Sequence, residues 1–353
     1  MNNGKMIGLL GGLALVFLIV VVVSAITDAQ NYEGDSVTFE YTDSFEMENQ
    51  AIEVNFSSEN IDIYQSNTGK LEVYFIRDCN SKDEYEEYQN NFDVNVTDSK
   101  VEISLDDIKH DRWRFNNFLS RLIAGNFNFE SRLELGIPEG FEGDLIVTVS
   151  SGNIMIEDVS STDMNVKASS GNIVVNDIST DQLELSASSG NIEVFSIDAD
   201  NMLKAVTSSG RITIDGITCD ELVLRATSGN ISGEDIIANM TSADTSSGRL
   251  SLNGEMGEGE FGASSGNVEV TYTEIQGDIE AHASSGNVRF SIPKDTEFEL
   301  FAEFSSGNFN TDFDLDHVDV GDHQYYGETK DANLGIQINI STSSGNSNLD
   351  EMH

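Results

Sequence analysis

The sequence predicts an all-β chain: a single-stack parallel β-solenoid (β-helix) with coils of about 19 residues, preceded by an N-terminal apolar helix and a less regular β cap region. Three observations predict it. A Ser-Ser-Gly-Asn motif, complete in seven copies and altered by Arg211, Arg249 or Thr227 in three, recurs at Gly152, Gly171, Gly190, Gly210, Gly229, Gly248, Gly266, Gly286, Gly307 and Gly345, at intervals of 19, 19, 20, 19, 19, 18, 20, 21 and 38 residues. The residues after each glycine alternate apolar and polar, the period of a strand with one buried face. Proline occurs only twice in 353 residues while Val and Ile recur regularly, which separates this chain from disordered acidic segments.

The elements follow in chain order. Residues 1–30 hold an apolar run from Met6 to Ile26, 21 residues without a charge, long enough to cross a bilayer as one helix. Lys5 on the inner side leaves the rest of the chain outside the cytoplasm. A secretory signal is the alternative, with Val23-Ser24-Ala25 as a small-residue cleavage site. The protein is then secreted rather than membrane-anchored.

Residues 31–149 read as an irregular β region or cap. "AIEVNFSSENIDIYQ" carries a degenerate motif with Glu59 in the glycine position, and "KLEVYFI", "FDVNVTD" and "KVEISLD" alternate as strands do. Ser81 and Glu84 match a capping box and predict a short helix near 82–91. A second helix is predicted at 112–124 in "HDRWRFNNFLSRLIAGNF". There Phe115, Phe118, Leu119 and Leu122 fall at helical spacing between Asp111 and Gly125. Five of the chain's 18 basic residues lie between Lys109 and Arg132. This helix either caps the apolar end of the stack or touches the membrane through Trp113, Arg114, Phe118 and Arg121.

Residues 150–349 are the regular array, followed by a tail at 350–353. Two residues after the glycine stand Ile154, Ile173, Ile192, Ile212, Ile231, Leu250, Val268 and Val288, and four after it Ile156, Val175, Val194, Ile214, Leu252, Val270 and Phe290. Before the glycine a second strand points small residues inward near the corner, Ala168, Ala187, Thr207, Ala226, Thr245, Ala263 and Ala283. Seven residues after it, Val159, Ile178, Ile197, Ile217 and Ile236 form an inward anchor. Length variation is expected between that anchor and the second strand. The glycine serves a structural corner, through a positive φ or the close approach of stacked backbones, and the stacked Ser and Asn bond to one another and to backbone. The doubled final interval predicts one coil without its signature near Tyr326-Gly327. A repeated ligand-binding ridge is the alternative use of the corners, but flat threonine arrays and aromatic platforms are missing from it.

Charge narrows the function. The formal net charge is -44, from 62 acidic and 18 basic residues. Such a chain repels nucleic acid and attracts cations or cationic peptides. Cys79 and Cys219 show no metal spacing and read as two free thiols. Gly262 to Gly266 match G-x-S-x-G, but a strand rather than a helix follows. Gly257 to Gly262 match the dinucleotide fingerprint, with glutamates where a pyrophosphate would sit and no helix to receive it. In "DFDLDHVDVGDH", Asp312, Asp314 and Asp316 alternate with Phe313 and Leu315, which predicts three carboxylates on one strand face. Calcium favours such oxygen clusters, and a solvated outward face is the bland alternative. The five scattered histidines give no zinc pattern, so no cofactor beyond that calcium is expected.

The strand ending in "LELGIPEG", the repeated "SSGNI-V" units and the closing "LGIQINISTSSGN" together resemble the putative adhesin family of bacterial and archaeal β-strand-repeat domains. The resemblance covers roughly residues 45–349. It implies a β-solenoid in an exported or membrane-anchored envelope protein, with an adhesive or envelope-stress role, and it carries no catalytic residues. The acidity and the basic insert depart from that pattern. The expectation is therefore a non-catalytic cell-envelope module for adhesion or scaffolding, an extracellular, single-pass membrane protein whose partner is an envelope polymer or surface protein. A sensor or decoy for cationic antimicrobial peptides is one alternative. A polysaccharide-binding or polysaccharide-cleaving β-helix protein is another, although coils of 18 to 21 residues leave little chain for groove-building loops.

Overall fold

The computed structural model describes residues 37–47, 50–79, 81–105, 131–329 and 335–352. The expected membrane helix at 1–30 and basic helix at 112–124 lie outside them. Among the described residues no helix is long and apolar enough to cross a membrane. The chain divides into two compact units.

The first unit includes residues 75–79 and 81–93 together with the start of the strand Val37–Phe45. Its core is aromatic. Phe39 meets Phe75, Tyr85 and Phe92 edge-on at 5.7 to 6.0 Å, and Phe75 stacks on Phe92 at 4.8 Å. The helix Lys82–Asn91 starts where the Ser81 hydroxyl accepts from the Glu84 N–H at 3.1 Å. Asp83 and Glu84 in its first turn suit the positive end of the helix dipole. Tyr88 is buried beneath the Arg77 guanidinium, 4.9 Å from the ring centroid.

The second unit is the stack. The strands Ile154–Ala168, Ile173–Ala187, Ile192–Thr207, Ile212–Ala226 and Ile231–Thr245 pair in parallel, each with the next coil. Both inward columns after the glycine and both before it are buried. Within each of these strands the chain turns once more without leaving the ladder. Six residues after the glycine, Asp158, Asp177, Ser196 and Asp235 hold φ between 50° and 56°, and Gly216 holds 67°. This left-handed step is open to short polar side chains and glycine, and it precedes the buried anchor. Sequence periodicity missed this second corner, although its Asp, Ser and Gly column was in view.

The stacking order departs from the chain order at both ends. Ala51–Phe56 pairs in parallel with Lys100–Leu105 on one side and Leu145–Val149 on the other, so the coil carrying Glu59 is inserted between later ones. At the far end the Gly345 coil sits between the Gly286 and Gly307 coils. The long interval therefore holds no lost coil at Tyr326-Gly327. It holds a hairpin, Asp316–Val320 with Gln324–Glu328, whose second strand runs antiparallel to Glu299–Ser306. An antiparallel strand cannot stand in for a parallel coil.

Core packing follows the observed order. Five residues before the glycine, consecutive layers read Leu185, Ala205, Leu224, Ala243, Phe261, Ala281, Ile340, Ala302, all buried. Large and small alternate, as interdigitating layers require. In chain order Ala281 and Ala302 would face each other and leave a void.

Length variation is absorbed in two places rather than one. The 20-residue coil from Gly190 shifts register between Ala199 and Met202, as expected. The 18-residue coil from Gly248 instead drops a residue before the anchor, so that Gly254 pairs with Ile236. Tyr272 pairs with Gly254 in turn and is fully buried. Its hydroxyl lies where a side chain on Gly259 would begin, 2.2 Å from that Cβ position, and has no partner.

Candidate functional site: the groove beneath the hairpin

The repeated corners are built for stacking. A Cβ on Gly171, Gly190, Gly229, Gly266 or Gly286 would lie 1.7 Å from the carbonyl oxygen of the glycine one layer away, and on Gly210 and Gly248 at 1.8 and 2.0 Å. Gly152 meets the Glu59 carbonyl in the same way. Of the ten, only Gly307 and Gly345 take a positive φ, 133° and 153°, so close approach rather than φ accounts for the others.

Asparagine adds a second tie. The Asn153 side-chain oxygen accepts from Asn172 N–H, Asn172 from Asn191, Asn191 from Arg211, Asn230 from Arg249, and Asn267 from Asn287, all at 2.9 to 3.0 Å. The ladder runs from side chain to backbone rather than from one side chain to the next. Arg211 and Arg249 interrupt it, because neither offers an acceptor. Where threonine replaces alanine at the corner it is satisfied too: Thr207 and Thr245 donate to the carbonyls of Gly190 and Gly229 at 3.1 and 2.9 Å.

The other predicted positions behave differently. Asp312, Asp314 and Asp316 do not share one strand face: 312–315 are not strand, and Asp316 only begins the strand Asp316–Val320. Phe313 breaks the run by turning inward onto Phe298, at 5.1 Å between ring centroids. Among the described residues no group of three or more His, Cys, Asp or Glu is arranged to hold a metal ion. Trp113, Arg114, Phe118 and Arg121 lie outside the described residues. Gly257 to Gly262 lie within the continuous strand Leu250–Ala263, with no helix for a dinucleotide. Cys79 and Cys219 are free and buried. Burial pushes their thiols up to about 11 and about 12, with nearby carboxylates adding to the effect.

Two concave surfaces stand out. An acidic groove of about 290 Å³ is lined by Asp198, Asp200, Asp220 and Glu255, with Asn239 donating to Asp220 at 2.6 Å. The larger, about 390 Å³, lies where the hairpin turn, joined edge to edge with Glu299–Ser306, borders the outer face of three coils. Its floor comprises His282 and Ser284, Ser341 and Ser343, and Glu303 and Ser305. Its wall is the turn from Gly321 to Gln324. Two backbone bonds fix that wall, Gly321 N–H to the Gln324 carbonyl at 2.9 Å and Phe304 N–H to the His323 carbonyl at 3.0 Å. Gln324 Nε2 donates to Glu303 Oε1 at 3.2 Å, and the His323 ring meets Phe304 edge-on at 6.4 Å. Reading the sequence missed this groove. Its one signal was the doubled interval, which marks the hairpin that extends the sheet beside Glu299–Ser306.

A family model described as Toastrack DUF4097 matches residues 49–205 and again 181–350. No curated protein matches the chain. Among solved structures, a putative adhesin from Parabacteroides distasonis is 13% identical, with 90% of this chain and 98% of that one covered at a TM-score of 0.43. A putative lipid binding protein from the same species is 16% identical, with 89% and 97% covered and a TM-score of 0.43. A putative cell adhesion protein from Clostridium sporogenes is 13% identical, with 90% and 100% covered and a TM-score of 0.26.

Proposed function

The chain belongs to the Toastrack DUF4097 family, and from that premise we propose that it is a non-catalytic adhesion or scaffolding module of the cell envelope. The apolar segment at 6–26 tethers it to the membrane and presents the stack on the outer side. The observation that carries this reading is the uniformity of the stack. One corner and one ladder recur from coil to coil, and the outward columns between them are mostly polar. Such a surface offers repeated contacts to an extended partner rather than one reaction centre. The test is fractionation of cells making the full chain, with protease added to intact cells. Retention in the envelope with external cleavage is expected, together with cell attachment that falls when the chain is deleted. Recovery in the cytosol would overturn the reading.

A second reading, capture of cationic antimicrobial peptides in an envelope-stress response, is favoured by the groove that gathers Asp198, Asp200, Asp220 and Glu255. Peptide binding of that kind weakens steeply as salt rises from about 0.05 to about 0.5 M, because exposed charges are screened within the Debye length. Titration at the two salt concentrations separates the readings. Salt-insensitive envelope retention supports scaffolding.

A further inference from the structure

We propose that the groove beneath the hairpin binds a neutral, β-linked saccharide chain, an inference that rests on the reading of this protein as a binding module and gives that module a ligand class. The floor supplies the first argument. Ser285 and Ser306 both pair with Ser344, so the preceding serines, Ser284, Ser343 and Ser305, form a row across three strands. Neighbours in that row stand about 4.8 Å apart, the spacing of hydrogen-bonded strands, which is close to the repeat of a β-linked pyranose chain. Each hydroxyl gives one hydrogen bond and accepts others; a β-1,4-linked chain turns over at each unit, so equivalent sugar hydroxyls fall on one face at every second unit and meet the outer serines of the row, Ser284 and Ser305.

The wall supplies the second argument. Glu303, held by Gln324 at 3.2 Å, and Asp322 provide acceptors for vicinal sugar hydroxyls. The turn is fixed by its own two backbone bonds, so little ordering is left to oppose binding. Charge then selects the ligand. Among the described residues no lysine or arginine lines the groove, and an anionic polymer would face two carboxylates without a counter-charge there. A basic peptide finds denser sets of carboxylates elsewhere, around Asp198, Asp200 and Asp220 and around Glu221, Glu258, Glu260, Asp278 and Glu280.

The experiment is calorimetric titration of the full chain with two neutral probes, the β-1,4-linked hexamers of glucose and of N-acetylglucosamine, at low and high salt. Oligolysine is the third probe. Binding of at least one hexamer, insensitive to salt, is expected. Ser343→Trp, which fills the floor from an exposed position, should weaken it at least ten-fold with an unchanged melting temperature. Ser169→Trp, the equivalent corner position of a distant coil, should leave it unchanged. Glu303→Gln should weaken it several-fold. Silence with both hexamers, or binding that Ser343→Trp leaves intact, overturns the proposal. So does salt-sensitive oligolysine binding that Ser343→Trp abolishes, which assigns the groove to a cationic peptide. A chain retained in the envelope that binds neither hexamer refutes the ligand and leaves the envelope reading standing. Saccharide binding by a chain found only in the cytosol does the reverse.

Discussion

At the scale of single residues, identical-looking glycines differ in what they tolerate. Gly190 has no room for a Cβ, because the Gly171 carbonyl oxygen lies 1.7 Å from that position. Gly190→Ala must therefore push two layers apart, and a loss of at least about 2 kcal/mol is expected, in the range of overpacked cores. Gly140 has φ 74° and open space around it, so Gly140→Ala meets only the left-handed backbone penalty of about 1 to 2 kcal/mol. Urea denaturation of the two variants checks the order. Equal losses would remove the close-approach account of the corner. Tyr272 predicts the opposite sign. Its hydroxyl is buried without a partner, and burial alone pushes its pKa far up. Tyr272→Phe removes an unsatisfied group while keeping the ring contacts with Phe261 and Phe290 at 6.2 and 6.4 Å. A gain of about 1 kcal/mol is expected, the lower end of the desolvation penalty for such a group, and an equivalent denaturation series measures it.

At the scale of elements, the asparagine ladder can be lengthened. Asn191 accepts from Arg211 N–H at 3.0 Å, but Arg211 offers nothing to the next coil. Arg211→Asn would place an acceptor beside Asn230 N–H and join the run starting at Asn60 to the bond between Asn230 and Arg249. A rise of about 0.5 to 1 kcal/mol is expected, the net worth of one hydrogen bond. Asn191→Ala should cost a similar amount, and a melting temperature that moves the same way in both variants would contradict the ladder. The same ladders explain how far the sequence could be read. Period-two alternation and the glycine interval located the strands, the inward columns and the Ser-Gly corner, because those depend on each coil alone. The order of coils depends on which neighbour a coil accepts. Every coil presents the same parallel ladder above and below, so Gly345 can dock on Gly286 as readily as Gly307 can. What selects the neighbour is volume, with Ile340 filling the layer between Ala281 and Ala302. That alternation was present in the sequence, but it becomes visible only once the columns are written in stacking order. The groove beneath the hairpin inherits the difficulty. Glu303, Ser343 and His282 belong to coils out of chain order, and no local motif joins them.

For the whole molecule, charge opposes folding. Against 62 acidic residues stand 18 basic ones, and stacking brings like charges together: Asp181, Asp200 and Asp220 occupy the same turn of three successive coils. Asp163 records the strain, its carboxyl raised by burial first and then by Asp144, Asp181 and Glu184. A carboxyl raised in the folded state binds its proton more tightly there than in the unfolded chain. Its contribution to stability is therefore complete below the unfolded pKa and is lost as pH rises through the folded one. Glu53 opposes this, since hydrogen bonds from Lys100 and Asn55 lower it, and its contribution disappears on acidification. One such group does not outweigh a net charge of -44. Salt acts in the same direction as mild acid. It also screens the surface ion pairs, such as Lys204 with Glu184 at 3.4 Å, but exposed pairs contribute only about 0 to 1 kcal/mol each, less than the self-repulsion that salt relieves. The melting temperature should therefore rise by several degrees between about 0.02 and 0.5 M NaCl, as the Debye length shortens, and again on moving from pH 7 to about pH 5 at low salt, toward the ordinary carboxylate range. The two effects should not add, because salt removes the repulsion that protonation would relieve. Thermal scans over the four combinations of salt and pH test this. A melting temperature that falls with salt would mean that the ion pairs, and not the repulsion between acidic columns, set the stability of the stack.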